Sequence, residues 1–360
     1  MFLAGVNIGG FLSQTNDVSE SHLNTFITKS DFEQISHWGF NVIRFPVDYN
    51  FFETENGNLI ESRLKIIDNV ISWSKELKIK IILELHKAYG HSFDVNESII
   101  QEFWKSDSQH RKRFLKTWDM LSKRYCHFNN VIYEPLNEPV ANKSDDWHKL
   151  VTDFIATVRK NSNQFLLIES NLWGNVKKFE ELPKFDDDKI IYSFHYYLPL
   201  SITHQKAYWL PYFVKYYNQN NDYPGRPKKI DEFLIKIKNE DKNFYEMISE
   251  ENKEWNKQAL LETLKPVLKF KKKFNVPVLC GEFGSIVLAN PQTRQNWLKD
   301  LIEIFIENDI SYTYWNYKNM DFGLIDFTEQ YKGNPNYDPQ TRIDYASIKI
   351  LQQGVKNKSN

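Results

Sequence analysis

Eight short apolar runs, each followed by polar residues and most then by a stretch of helical spacing, constrain the fold more than any other feature of this chain. The runs lie at 3–8, 40–46, 79–85, 130–136, 165–170, 190–196, 276–281 and 311–316 and are rich in β-branched and aromatic residues. Several are apolar almost throughout, as in Lys80-Ile81-Ile82-Leu83. A strand with one wet face would alternate, so unbroken runs belong to a parallel sheet covered on both faces. Between them, 61–77 carries Leu64, Ile67, Ile71 and Leu77, 109–125 carries Phe114, Leu115, Trp118 and Leu121, and 292–308 carries Trp297, Leu301, Ile304 and Phe305. The spans 147–161 and 255–274 are helical by the same criterion. Eight alternations predict an α/β chain closed into a single (β/α)8 TIM barrel. At 360 residues, with no interdomain linker and no internal repeat, 1–360 is expected to be one catalytic domain.

One connection breaks the rhythm. Nearly eighty residues, 198–275, separate the sixth run from the seventh, and they hold Tyr208, Trp209, Tyr212, Phe213, Tyr216, Tyr217 and Tyr223. A disordered insertion would be poor in aromatics. The segment is therefore expected either to wall the mouth of the barrel or to pack its aromatics on the flank as a helical excursion.

Charge narrows the partners. With 46 basic and 47 acidic side chains the formal net charge is -1, so no basic stripe for nucleic acid is expected. No apolar run reaches the length of a membrane span. The cysteines, Cys126 and Cys280, are far apart and lie in unlike patterns, as inert thiols do. The sequence opens directly into a strand-like run without a charged leader. A cytoplasmic location follows as the expectation, or a secreted one if a leader has been removed. Nothing in the pattern bears on oligomeric state.

In a parallel barrel the chemistry sits at the C-terminal ends of the strands. The polar residues at those ends are Asn7, Arg44, His86, Asn137, Glu138, Glu169, His195, Tyr197, Glu282 and Trp315. Two of the glutamates follow buried runs directly, in Asn137-Glu138-Pro139 and Gly281-Glu282-Phe283-Gly284. Acetal cleavage needs two carboxyl groups, one to protonate the departing oxygen and one to meet the anomeric carbon. Glu138 is the candidate proton donor and Glu282 the candidate nucleophile. Arg44 can hold a neighbouring carboxylate in its charged form, and His195 and Tyr197 can hydrogen-bond the carboxylates. Asn137 can reach the hydroxyl beside the anomeric carbon, and Trp315 can floor a sugar ring. Glu169 either lines the mouth or pairs with Arg44.

These residues resemble glycoside hydrolase family 5, retaining β-glycosidases built on (β/α)8 barrels. The resemblance runs from Gly5-Val6-Asn7-Ile8-Gly9-Gly10 to about Asp326. Leu136-Asn137-Glu138-Pro139 is similar to the family's acid/base motif and Gly281-Glu282-Phe283-Gly284 to its nucleophile motif. Arg44, His86, Asn137, His195, Tyr197 and Trp315 fall where the family places its other active-site residues. His86-Lys87-Ala88-Tyr89-Gly90, Thr203-His204-Gln205-Lys206-Ala207-Tyr208-Trp209 and Trp315-Asn316-Tyr317-Lys318 resemble segments of bacterial cellulase-like members. Two positions depart: Tyr89 stands where proline is expected, and Phe11 where tryptophan is frequent. Both are expected near the mouth, bearing on sugar subsites.

The resemblance implies a retaining enzyme that cleaves β-glucosidic bonds in a β-glucan or its oligosaccharides. Endo-β-1,4-glucanase is the expected activity, with no cofactor and no metal. The same scaffold hosts β-mannanase, exo-β-1,3-glucanase and glycosylceramide-cleaving activities, which loop contacts decide. Two other classes stand beside it: a metal-dependent barrel hydrolase using His86, His195 and Glu282, and a non-catalytic glycan-binding barrel. The first lacks a His-x-His pair on the opening strand; the second has no need of both glutamates.

Overall fold

The eight apolar runs become strands because each can bury both faces, and they do so around a common axis. In the computed structural model, which describes residues 2–93, 100–327, 337–338 and 341–358, they are β1 (Ala4–Asn7), β2 (Val42–Asp48), β3 (Lys80–Lys87), β4 (Val131–Glu134), β5 (Phe165–Glu169), β6 (Ile190–Tyr196), β7 (Val278–Phe283) and β8 (Ile310–Tyr314). Every neighbouring pair is parallel, and β1 pairs with both β2 and β8, closing the barrel. The predicted α/β barrel is the fold observed.

Alternation along the strands sorts the interior into layers. Leu3, Val42, Ile82, Ile132, Leu167, Ile191 and Leu279 form an apolar cluster of their own, apart from the larger core between sheet and helices. Two residues further along each strand, and so on the same face, come Gly5, Arg44, Glu84, Glu134, Glu169, Ser193 and Gly281. The floor is apolar and the layer above it is charged. Gly5 is required by close approach: a Cβ there would lie 1.7 Å from the Val42 carbonyl oxygen. Burying one aliphatic side chain of the floor stabilises the fold by roughly 1.5–3 kcal/mol.

The helices form where the apolar spacing places them. Glu61–Glu76 buries Leu64, Ile67, Val70 and Ile71, and Gln109–Tyr125, capped by the Ser108 side chain on the Arg111 N–H, buries Phe114, Trp118 and Leu121. The expected single helix over 255–274 is instead two, Lys257–Thr263 and Lys265–Phe274. Pro266 lies in the first turn of the second helix. There its missing N–H is harmless, but the helix before it cannot run through. Among the described residues no helix is long and apolar enough to cross a membrane. Cys126 and Cys280 are free thiols.

The 198–275 segment divides between the two roles expected of it. Phe213, Tyr217, Ile230, Phe233, Leu234, Ile237 and Ile248 form a separate small core, with Tyr212 and Tyr216 packed on it. Tyr223 joins the barrel core and donates a 2.8 Å hydrogen bond to Asp300. Tyr208 and Trp209 stay exposed. The Trp209 ring lies 5.9 Å from His204 and 6.1 Å from Phe322, and those two rings lie 5.0 and 5.8 Å from Tyr197 at the barrel mouth.

Candidate active site

Arg44 on β2 organises the charged layer. Its guanidinium donates to both oxygens of Glu134 on β4, at 2.6 and 3.0 Å, and to Oε1 of Glu282 on β7 at 2.6 Å. Neither strand neighbours β2 in the sheet, so the side chain crosses the barrel interior. It also donates to Oδ1 of Asn7 at 3.1 Å and Oδ1 of Asn137 at 2.9 Å, and lies 3.7 Å from Glu84. Burial works to lower the Arg44 pKa, yet the facing Glu134, Glu84 and Glu282 carboxylates raise it well above the usual value. A fixed cation with planar donors is what a set of buried carboxylates needs.

Glu138 and Glu282 meet across this layer. One carboxylate oxygen of each, together with a ring nitrogen of His195, fall within 4.8 Å of one another. Their surroundings differ. Burial pushes the Glu138 carboxyl up to about 7, against the pull of His86 and Arg44. Glu138 Oε1 lies 2.8 Å from His195 Nδ1. Glu282 instead receives Arg44 on Oε1 and the Tyr197 hydroxyl on Oε2 at 3.1 Å. Burial, with Glu282 and Glu138 nearby, raises the Tyr197 phenol well above its usual value, so it remains a donor. Burial lowers His195 to about 3 and also lowers His86. Both rings are therefore neutral near pH 7.

Each sequence-predicted residue is found at the mouth, with differences of detail. Glu282 lies inside β7 rather than after it, beside a register shift opposite His195. Tyr197 lies one residue past β6 and still reaches Glu282. Trp315 follows β8, begins a cis peptide to Asn316, and is only 5% exposed. Its ring stacks at 6.0 Å and 7° on His86, whose Nδ1 lies 3.1 Å from Glu84. Glu169 does not pair with Arg44. Its Oε2 accepts the Glu138 N–H at 2.7 Å, and Glu134 takes the place beside the guanidinium.

One expectation fails, and one alternative loses support. Phe11 is 1% exposed and packs on Phe26 and Phe45, so it belongs to the core and not to a sugar subsite. The metal-site alternative also falls short: His86 is engaged with Trp315 and Glu84, and a guanidinium stands 2.6 Å from Glu282 where a cation would bind. Tyr89, by contrast, is exposed under the Arg113 guanidinium, 4.0 Å from its ring centre. It lines a cleft of about 650 Å³ with Leu59, Lys112 and Arg113.

Sequence reasoning missed Glu84 and Glu134, both fully buried among apolar strand neighbours. An acidic residue inside an apolar strand was the available signal, because a buried charge requires a partner. It also missed Trp173. Leu172, Trp173 and Gly174 have φ of 56, 59 and 63°, a left-handed turn that costs non-glycine residues about 1–2 kcal/mol each. Asn171 pins the turn through Ala141, accepting its N–H at 2.9 Å and donating to its carbonyl at 2.8 Å. The turn presents Trp173 46% exposed, its indole N–H donating to the Phe93 carbonyl at 3.0 Å.

The family described as Cellulase (glycosyl hydrolase family 5) matches residues 6–321. The chain is 37% identical over 328 residues to Endoglucanase C of Acetivibrio thermocellus, covering 90% of this chain and 93% of that protein. It is 29% identical over 315 residues to Cellodextrinase A of Ruminococcus flavefaciens, covering 86% and 83%. A crystal structure described as a glycoside hydrolase superposes with a TM-score of 0.79 over 98% of this chain and 99% of its own, at 22% identity, a likeness of fold.

Proposed function

The chain belongs to the cellulase family, glycosyl hydrolase family 5, and from that premise we propose that it is a retaining endo-β-1,4-glucanase with Glu138 as acid/base and Glu282 as nucleophile. The observation that carries this assignment is the approach of a Glu138 and a Glu282 carboxylate oxygen to within 4.8 Å. Retaining glycosidases hold their carboxyl groups about 5–5.5 Å apart, and inverting ones about 6.5–9.5 Å to admit a water.

The environments divide the labour. Glu138, with its carboxyl pushed up to about 7 by burial, keeps a proton through the mildly acid range and can give it to the departing glycosidic oxygen. Glu282, held by Arg44 and Tyr197, attacks the anomeric carbon and forms a glycosyl–enzyme ester. The Glu138 carboxylate left behind then takes a proton from water, whose oxygen displaces Glu282 and restores the β configuration. Asn137, its Oδ1 already occupied by Arg44, offers Nδ2 to the hydroxyl next to the reacting carbon. Trp315 on His86 forms the floor, and the exposed Trp173, Trp209 and Tyr208 supply faces for outlying sugar rings. Soluble β-glucan oligosaccharides suit the site as well as polymer, in keeping with the likeness to a cellodextrinase.

An NMR time course of anomeric products from soluble β-1,4-glucan oligosaccharides tests the proposal. The β-anomer should appear first, and Glu282→Ala should lose hydrolysis but regain bond cleavage with azide, giving an α-glycosyl azide. Initial release of the α-anomer, or an unimpaired Glu282→Ala enzyme, would overturn it.

A further inference from the structure

Glu169, at the end of β5, is fully buried and touches the site twice. Its Oε2 accepts the N–H of Glu138, a residue held at φ 44°. Its Oε1 lies 3.2 Å from His195 Nε2, an ion-pair distance, and these two buried atoms are otherwise left without a hydrogen-bond partner among the described residues. The opposite ring nitrogen, Nδ1, lies 2.8 Å from Glu138 Oε1 and 3.6 Å from Glu282 Oε2. Gly174 makes room for the Glu169 carboxyl: a Cβ there would lie 2.2 Å from Glu169 Oε1 and 2.6 Å from the backbone nitrogen of His195.

A neutral imidazole has one donor and one acceptor, so two arrangements fit the chain Glu138–His195–Glu169. In the first, Glu169 is ionised and accepts from Nε2–H. Nδ1 then accepts, and Glu138 must turn its own proton toward the ring, away from a substrate. In the second, Glu169 carries a proton on Oε1 and gives the hydrogen bond to Nε2. Nδ1–H then donates to Glu138 Oε1, the catalytic proton rests on Oε2, and the carboxylate left after proton transfer keeps its donor. The other oxygen of Glu169 already serves as the acceptor for Glu138 N–H, as the carbonyl oxygen of a neutral acid would.

The groups facing Glu169 favour the second arrangement. They are Glu138 and Glu134, with Arg44 engaged by Glu134 and Glu282, and Glu84 and His86 beyond. Burial, then Glu134 and Glu138, push the Glu169 carboxyl well above the usual range. We propose that Glu169 is a positioning residue that works as a neutral carboxylic acid, fixing His195 as the Nδ1–H tautomer that aims and steadies Glu138. This rests on the reading of Glu138 as acid/base.

Glutamine copies a protonated glutamate, with a carbonyl for Glu138 N–H and an amide N–H for His195. Glu169→Gln should therefore keep kcat/KM on oligosaccharides within about threefold and leave the basic limb of the pH profile in place. Glu169→Leu removes both bonds. It should lower kcat/KM on oligosaccharides by at least about tenfold and move that limb, while dinitrophenyl cellobioside, whose leaving group needs no proton, is far less affected. Nitrogen-15 NMR of His195 in the wild-type enzyme should show the proton on Nδ1, a readout that needs no variant and no activity. A proton on Nε2, or a loss beyond about a hundredfold in folded Glu169→Gln, would overturn the proposal. If Glu138→Gln hydrolysed oligosaccharides normally, the acid/base reading would fail instead, with the tautomer result unchanged.

Discussion

At the scale of single residues, Arg44 holds more of the site than either glutamate does. It makes hydrogen bonds to Glu134, Glu282, Asn7 and Asn137, and a lysine in its place could reach only part of that set. Arg44→Lys would leave buried carboxylates short of donors, which is worth about 3–5 kcal/mol when a buried pair is broken. It would also free one oxygen of Glu282, with an activity loss of about 10²–10³ by analogy with removing one preorganised donor. Urea titration and kcat/KM on cellotetraose should both register the change, and a variant of normal stability and activity would show the network to be incidental. The strand-end arginine was legible from sequence because it closes an apolar run. Glu84 and Glu134 signalled only that a buried charge needs a partner, because nothing in a single sequence says which face of a strand turns inward when both faces are buried. Their role appears only once barrel closure brings β2, β3, β4 and β7 around one axis.

At the scale of elements, legibility followed how much local pattern each one carried. The strands could be read because an unbroken apolar run has few alternatives, and helices such as Gln109–Tyr125 because cap and spacing agree. The break before Pro266 was misread because the apolar periodicity runs on across it. The left-handed turn at Leu172 and Trp173 carries little signal, since leucine and tryptophan do not ask for that conformation; Asn171, bonded to Ala141, pins its start, and Gly174 closes it against Glu169. The 198–275 excursion was ambiguous because it does two things, building its own core and sending Tyr208 and Trp209 toward the mouth. That small core makes a cluster distinct from the barrel core and is expected to unfold apart from it. Phe233→Ala should cost about 3–5 kcal/mol locally. Helices 211–216, 230–237 and 242–249 should become open to limited proteolysis while the barrel keeps its cooperative unfolding transition. Cleavage confined to 211–250 would fit; loss of the whole fold at the same protease concentration would show the two cores to be one unit.

At the scale of the whole molecule, the buried titratable groups set the pH range in which the fold is most stable. Burial raises Glu84 to about 8, and Glu138 and Glu251 to about 7, from an ordinary value of 4.5. Each is protonated in the folded chain and ionised in the unfolded one across that interval, so stability falls as pH rises from about 4.5 to about 8. The buried histidines work in the opposite sense. His91, His195 and His204 are lowered by burial to about 3 from 6.5. The unfolded chain binds their protons first, and stability falls as pH drops from about 6.5 to about 3. Between about 4.5 and 6.5 the two groups oppose each other; above that window only the glutamates act, and below it only the histidines. Tm measured by calorimetry should therefore peak inside the window and decline by pH 8, and Glu84→Gln should flatten the alkaline decline without moving the acid one. A Tm still rising at pH 8 would mean that these carboxylates ionise in place. The proton that makes burial of the Glu138 carboxyl tolerable is the one it donates, so the basic limb of activity, near pH 7, should fall within the alkaline loss of stability that sets in above about pH 6.5.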